Sequence, residues 1–389
     1  MDLSLLEKAL RKHDQITITG ASGSGLSTLA NQIHDTWPNA AVVGQDPIAH
    51  VTYLRTTVIE EVAIGLEQRG VPRPEMQRRV EAILNAAGLA DLAEHNPTML
   101  SGGQTRRLAI ACVAVLEPEI LVLDDPFAGL DPESAARIQH LLDALPSRTV
   151  VLSTNREGHF SLVRGELGPP LAAEPVHLPR PIAPSNLPAI DLGEVAATRG
   201  DQKKKWWKFR KNNVPVFTAG PIHLAPKPGE VLWLRGDNGA GKTTLLRALA
   251  GLDGNPGLED THGVSASLAL QRAADQVAEV TTAGFVGDEA ALKRLTELGV
   301  KLDPDEHPLD LPAAHLRLAQ LAQVFSQGRQ LVLLDEPDVG LDSSGRGVAH
   351  ALIADGLSTG KAVVMTCHDA SFAGEVGAFA RVDASWLLR

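Results

Sequence analysis

The chain has 389 residues, more than one ordinary domain holds, and its 44% hydrophobic and 21% charged composition excludes wholesale disorder. Its longest clean apolar stretch, residues 108–116, has nine residues where a bilayer needs about 20, so no membrane-crossing helix is expected. A formal net charge of −11 repels phosphate backbones and argues against nucleic acid as a partner.

The first residues carry no basic segment leading into an apolar one, so no secretory signal is expected. Gln15-Ile16-Thr17-Ile18-Thr19 reads as a strand running into a glycine-rich loop, Gly20-Ala21-Ser22-Gly23-Ser24-Gly25-Leu26-Ser27-Thr28. Leu100-Ser101-Gly102-Gly103-Gln104 should open a helix over 106–116, a second anion-binding helix N-terminus. Ile120-Leu121-Val122-Leu123 is an apolar strand ending at Asp124 and Asp125, followed by Gly129-Leu130-Asp131. Cys112 and Cys367 stand alone, without metal or disulfide spacing, as suits a reducing cytosol. Seven prolines fall among the twenty residues 169–188. Proline fixes φ and lacks an N–H, so an extended, semi-rigid connector over 166–189 should join domains at 1–165 and 190–389. Lys203 to Lys211 then puts six cations beside Trp206, Trp207 and Phe209. That stretch suits a solvated loop or contact with anionic lipid headgroups, with RNA binding a third option that the acidic remainder disfavours.

The second half repeats the first. Glu230-Val231-Leu232-Trp233-Leu234-Arg235 leads into Gly236-Asp237-Asn238-Gly239-Ala240-Gly241-Lys242-Thr243-Thr244, and Leu331 to Leu334 into Asp335, Glu336 and Pro337. In both copies an aspartate, Asp131 or Asp342, stands seven residues past the strand aspartate. Alternating buried strands and helices predict an α/β fold: two P-loop NTPase domains in tandem, each with a mostly parallel sheet and a helical subdomain. Gly236 to Thr243 matches the P-loop pattern in full. Its backbone N–H groups surround phosphates, Lys242 brings charge to the β- and γ-phosphates, and Thr243 offers a hydroxyl to Mg²⁺. Asp335 is placed to hold Mg²⁺ through water, and Glu336 to polarise an attacking water.

With Ser101 to Gln104 lying 23 residues before Asp124, the chain resembles the ATP-binding cassette (ABC) family over nearly all its length, in two copies. The resemblance implies ATP and Mg²⁺ as cofactors, ATP hydrolysis, and an intramolecular dimer of cassettes in head-to-tail contact. Each nucleotide would then lie between the P-loop of one copy and the signature of the other. The coupling glutamine, a family ligand of Mg²⁺, corresponds to Gln45 and Gln271, and the switch histidine to His368, 32 residues after Glu336.

The copies differ where chemistry concentrates. In the first, Leu26 stands for the P-loop lysine, Asp125 for the glutamate and Asn155 for the histidine. In the second, the signature reads Leu311-Pro312-Ala313-Ala314-His315. Head-to-tail pairing collects all these losses in one degenerate site made from Gly23, Gly25, Leu26, Ser27, Thr28, Gln45, Asp124, Asp125 and Asn155. The other composite keeps Gly236, Asn238, Gly239, Ala240, Gly241, Lys242, Thr243, Thr244, Gln271, Asp335, Glu336 and His368, with Ser101, Gly102, Gly103 and Gln104. The adenine-stacking aromatic of the family has no counterpart before Gly20; near the second loop, Arg199, Trp206, Trp207 and Phe209 are all candidates.

The stretch from Gln45 through Thr57-Val58-Ile59-Glu60-Glu61-Val62-Ala63-Ile64-Gly65 looks like the arm of energy-coupling factor ATPases. That resemblance implies micronutrient import with a transmembrane scaffold and a substrate-capturing membrane subunit on other chains. The chain would then sit peripherally on the cytoplasmic face of the cell membrane. Soluble tandem cassettes that act on ribosomes, and conventional importer or exporter ATPases, are the rival classes.

Overall fold

The structure is a computed structural model and describes residues 3–20, 26–128, 130, 132–154, 176–183, 186–199, 217–237, 239–367 and 369–387. These fall into two compact units, within Met1–Glu174 and Pro175–Arg389.

The first unit is built on strands β1 (Gln15–Gly20), β2 (Ala40–Val43), β3 (Ile120–Asp124) and β4 (Arg148–Thr154), all parallel in the order β1-β4-β3-β2. Alternation along β3 explains why it reads as one apolar run. Ile120 and Val122 join a core with Ile16, Leu29 and Ile33, while Leu121 and Leu123 join one with Val62, Leu84 and Leu108. A strand covered on both faces has no polar side to show.

The arm of this unit holds helices Val58–Gln68 and Arg73–Ala86, packed with helix Gly102–Ala114. Thr57 caps the first by accepting from the Glu60 N–H. One turn on, the buried Glu61 carboxylate accepts from the backbone N–H groups of Thr52, Tyr53 and Arg55. This fixes a turn whose tip, Leu54, is 81% exposed.

The second unit opens with an antiparallel ribbon, β5 (Glu194–Arg199) and β6 (Phe217–His223), which the sequence reading did not anticipate. Its main sheet holds β7 (Val231–Arg235), β8 (Ala266–Ala269), β9 (Leu331–Asp335), β10 (Ala362–Thr366) and β11 (Val382–Trp386), parallel in the order β11-β7-β10-β9-β8. In β9 the same alternation recurs, with Val332 and Leu334 in one core and Leu331 and Leu333 in the other. The second arm is shorter: helices Thr282–Val286 and Glu289–Glu297 have 5 and 9 residues against 11 and 14 in the first. Part of the expected connector rests on this unit, with the Ile182 N–H on the Phe379 carbonyl at 2.7 Å and the Ile182 side chain against its core.

Candidate functional site

In the second unit β7 delivers the chain into the phosphate loop, and helix Lys242–Leu249 begins as the loop ends. Gly241 has a φ of 99°, and a Cβ there would lie 2.5 Å from the Ala219 Cβ and 2.7 Å from the Phe217 ring. No side chain fits that turn. Lys242 is buried, and its ammonium braces the loop by donating to the carbonyls of Gly236 at 2.7 Å and Asp237 at 3.2 Å.

Next to Lys242, the Thr243 hydroxyl donates to Asp335 Oδ1 at 3.2 Å, and Thr366 donates to the same oxygen at 2.8 Å. Asp335 Oδ2 is buried and accepts no hydrogen bond. Burial, then the charge of Glu336, pushes the Asp335 carboxyl up to about 6 against the pull of Thr366, Thr243 and Arg317. A buried carboxylate oxygen without a donor is costly unless a cation meets it. A hydroxyl and a carboxylate side by side form the hard-oxygen set that suits Mg²⁺. These residues therefore fit the metal.

Glu336 sits in the left-handed region, with φ 50°, its N–H bonded to the carbonyl and the hydroxyl of Thr366 at 3.2 and 3.1 Å. Such a backbone costs a non-glycine residue about 1–3 kcal/mol and is held by its surroundings. The Gln271 amide donates to Glu336 Oε2 at 2.8 Å, so this glutamine meets the glutamate rather than Asp335. Arg317, buried in helix Ala313–Ser326, fixes the approach: its guanidinium donates to the carbonyls of Leu270 and Gln271 and to Gln320. Burial pulls the Arg317 pKa down, and Asp338, Asp335 and Glu336 pull it back up. The sequence reading missed both Arg317 and Thr366. An arginine inside an otherwise apolar helical stripe was the available signal for the first; a threonine ending an apolar strand carries almost none.

The first unit keeps more of this geometry than its motif suggests. The Ser27 hydroxyl donates to Asp124 Oδ2 at 2.6 Å, while Asp124 Oδ1 is buried without a hydrogen bond. Burial raises the Asp124 carboxyl, opposed by hydrogen bonds from Ser27 and Gln45. Asp125 has the same φ of 50° as Glu336, and its N–H bonds the Leu152 carbonyl at 2.8 Å. Leu26 begins helix Leu26–Thr36, which also carries Thr28.

The signature helix starts at Gly102, four residues before the expected 106, because Ser101 caps it. The Ser101 hydroxyl accepts from the Gln104 N–H at 3.4 Å and the Gln104 side chain accepts from the Ser101 N–H at 2.8 Å, a reciprocal capping box. Nothing lies within 4 Å of a Cβ placed on Gly102, whereas one on Gly103 would meet the Ser134 hydroxyl at 3.2 Å. In the second unit Pro312 makes no side-chain cap at the matching place. Gly23, Gly25, Asn155, Asn238, His368, Asp131 and the 203–211 stretch with Trp206, Trp207 and Phe209 lie outside the described residues, as does the Arg199 side chain.

Residues 3–128 and 220–339 match the ABC transporter family. A protein of Streptomyces avermitilis provisionally named as an ABC transporter ATP-binding protein is 28% identical, the alignment covering 86% of this chain and 75% of that one. One of Bacillus subtilis, provisionally named as an HMP/thiamine import ATP-binding protein, is 24% identical over 92% of this chain and 82% of its own. Among solved structures, an archaeal ribosome recycling factor in complex with a ribosomal stalk protein aligns with TM-score 0.55 at 16% identity, covering 96% and 85% of the two chains. The RNase-L inhibitor aligns with TM-score 0.53 at 16% identity, covering 95% and 83%. At such identity these two speak to the fold alone. Two family matches, on two units whose loop hydroxyls meet their strand aspartates in the same way, place the chain in the ABC transporter family as an ATP-hydrolysing enzyme.

Proposed function

We propose that the chain is the ATP-hydrolysing motor of a membrane transporter, of the energy-coupling factor type that imports micronutrients. It acts from the cytoplasmic face of the membrane, with one hydrolytic and one degenerate composite site. The observation that carries this reading is the linked set in the second unit: Thr243 and Thr366 on Asp335, and Gln271 on Glu336. The first unit has Leu26 and Asp125 at the corresponding places.

In the hydrolytic composite the second unit's loop holds the triphosphate, and Ser101 to Gln104 of the first unit close on it. Lys242 turns its ammonium from the loop carbonyls to the β- and γ-phosphates. Thr243 and Asp335 would hold Mg²⁺, which would neutralise charge on those phosphates. Glu336, oriented by Gln271, accepts a proton from the attacking water. His368 contacts the γ-phosphate.

For a membrane partner, the support is a repeated surface feature. Leu54 and Val280, 81% and 74% exposed, each lie nine residues past a coupling glutamine, Gln45 or Gln271. Large apolar side chains held out at matching places in both units suit a protein partner. No helix among the described residues is long and apolar enough to cross a membrane, so that partner is another chain. The name of the Bacillus subtilis relative supports a micronutrient cargo.

Affinity purification of the full chain from detergent-solubilised cells tests the assignment. Recovery of integral membrane proteins, reduced when Leu54 and Val280 are both replaced by Asp, supports it. Recovery with ribosomes in place of membrane proteins overturns it.

A further inference from the structure

We propose that Gln320 and Gln276 are positioning residues for Gln271, holding the backbone from which it reaches Glu336. The proposal rests on the reading of Glu336 as the base that activates water.

Leu270 and Gln271 follow Ala269, the last paired residue of β8, so the sheet no longer orders the backbone there. Side chains from helix Ala313–Ser326 take over. Arg317 donates to the carbonyls of Leu270, at 2.8 Å, and Gln271, and to Gln320 Oε1 at 2.7 Å. One turn on, Gln320 is fully buried. Its Nε2 donates to the Leu270 carbonyl at 3.0 Å and to Gln276 Oε1 at 2.9 Å. Gln276 Oε1 also accepts from the Leu270 N–H at 3.2 Å. Both backbone polar groups of Leu270 are therefore held by glutamine amides, and the next residue places its own amide on Glu336 at 2.8 Å.

The run of bonds continues outward. Gln276 Nε2 donates to Gln323 Oε1 at 2.9 Å, and Gln323 Nε2 to the Phe285 carbonyl of the arm at 2.6 Å. Every amide in it points the same way. A guanidinium can only donate and a carbonyl can only accept, so the two ends fix the orientation of all three glutamines. Bonds aligned head to tail polarise one another and stiffen the run. Around Gln320 the helix is otherwise apolar, with Leu316, Leu318, Ala319, Leu321 and Ala322 buried. Burying an amide there costs free energy unless it is bonded, so a position that needed only packing would be better served by leucine.

The first unit offers a contrast. Arg106 matches Arg317 in the repeat and donates to the Asp125 carbonyl at 2.9 Å. His50, Ala109 and Cys112 stand where Gln276, Gln320 and Gln323 would, counted from the coupling glutamines and the strand aspartates. The unit with aspartate in place of Glu336 thus has none of the three glutamines.

Steady-state ATPase assays and nucleotide-binding titrations on the full chain test the bridge, using Q320L, Q276L, Q276E and Q271A. Leucine removes the amide at similar volume, whereas a carboxylate at 276 still accepts from Gln320 and the Leu270 N–H. Gln276 is only half-buried, so its two variants report on the bridge even if Q320L fails to fold. Q320L and Q276L should lower kcat about tenfold, since about 1 Å of misplacement can cost on the order of a hundredfold. Nucleotide affinity should stay within about twofold, the signature of a group that acts on the chemical step. Q276E should recover most of the loss seen in Q276L. In a Q271A background neither leucine substitution should cost anything further. Wild-type kcat in Q320L and Q276L beside an impaired Q271A overturns the bridge alone. So do equal losses in Q276E and Q276L, losses that multiply with that of Q271A, and losses that follow nucleotide affinity. Wild-type turnover in Q271A also overturns the bridge and leaves the reading of Glu336 standing. Wild-type turnover in E336Q removes that reading, and the bridge with it.

Discussion

The two phosphate sites agree in their metal corner and differ in the groups around it. Ser27 on Asp124 and Thr243 on Asp335 are the same contact, each leaving one buried carboxylate oxygen without a hydrogen bond. Asp125 and Glu336 share even their left-handed backbone. What separates the units is the lysine, one methylene, and the residue matching the histidine. On the proposed reading the first unit lacks charge and reach, while the Ser27–Asp124 contact and the Asp125 backbone are kept. Substitutions that exchange these groups between the units test that contrast.

The largest effect should come from E336Q. Removing the base should cut phosphate release by at least about a hundredfold while nucleotide remains bound. The equivalent D125N should leave turnover near the wild-type rate, because the shorter Asp125 is not asked to do the same work. Equal losses from the two substitutions, measured by steady-state phosphate release, would abolish the distinction between the sites.

Converting one loop toward the other is the next step. K242L gives the second unit the first unit's side chain and removes a charge-assisted phosphate contact of about 1.5–3 kcal/mol. Nucleotide affinity should weaken roughly 10- to 100-fold in a fluorescence titration. The reverse change, L26K, should raise nucleotide retention without raising turnover, because Asp125, Asn155 and Pro312 remain. A gain in turnover from L26K would show that charge alone silences that site.

The signature helices differ by one cap. S101A removes the hydroxyl that accepts from the Gln104 N–H, leaving the backbone half of the box, and should cost about 1 kcal/mol in the first unit. In a domain of this size that is a fall in melting temperature of roughly 2–4 °C. Turnover should also fall, since Ser101 is part of the proposed hydrolytic composite. P312S should leave turnover unchanged.

Most of this frame was legible because its signals are backbone-level. Apolar runs such as Leu331 to Leu334 announce strands buried on both faces, and glycines at fixed spacing announce turns no side chain can enter, as at Gly241. Position along the repeat then placed Asp124 beside Ser27 and Asp335 beside Thr243. The supporting residues were harder to see. Arg317, Thr366 and Gln320 act through contacts between elements far apart in the chain, and their spacing has no period to read. The helix at Ser101 was placed four residues late because two glycines look like a break in the sequence, while the capping box makes them its first turn. The ribbon of β5 and β6 flanks a charged stretch whose composition hid both strands.

The smallest expected effect concerns His350, which only the second unit has at its place in the repeat (the first has Gln139). Burial lowers its pKa from 6.5, overcoming the pull of Glu375, with Arg346 lowering it further. Its Nδ1 is buried without a hydrogen-bond partner, so a second ring proton would have no acceptor. The unfolded chain therefore takes up this proton first as pH falls through 6.5, and stability contributed by neutral His350 is lost below that point, by at most about 1.4 kcal/mol per pH unit. Asp335 works in the opposite direction, because its carboxyl is raised to about 6 and the folded state protonates first. Comparing wild type with H350Q cancels the aspartate, since glutamine keeps a donor for Glu375 and does not titrate. Between pH 6.5 and 5 the wild-type melting temperature should fall more steeply than that of H350Q. Parallel curves would mean that the ring titrates alike in the folded and unfolded chain, and a wild-type curve falling less steeply than that of H350Q would mean that the ring already carries its proton in the folded state, paired with Glu375.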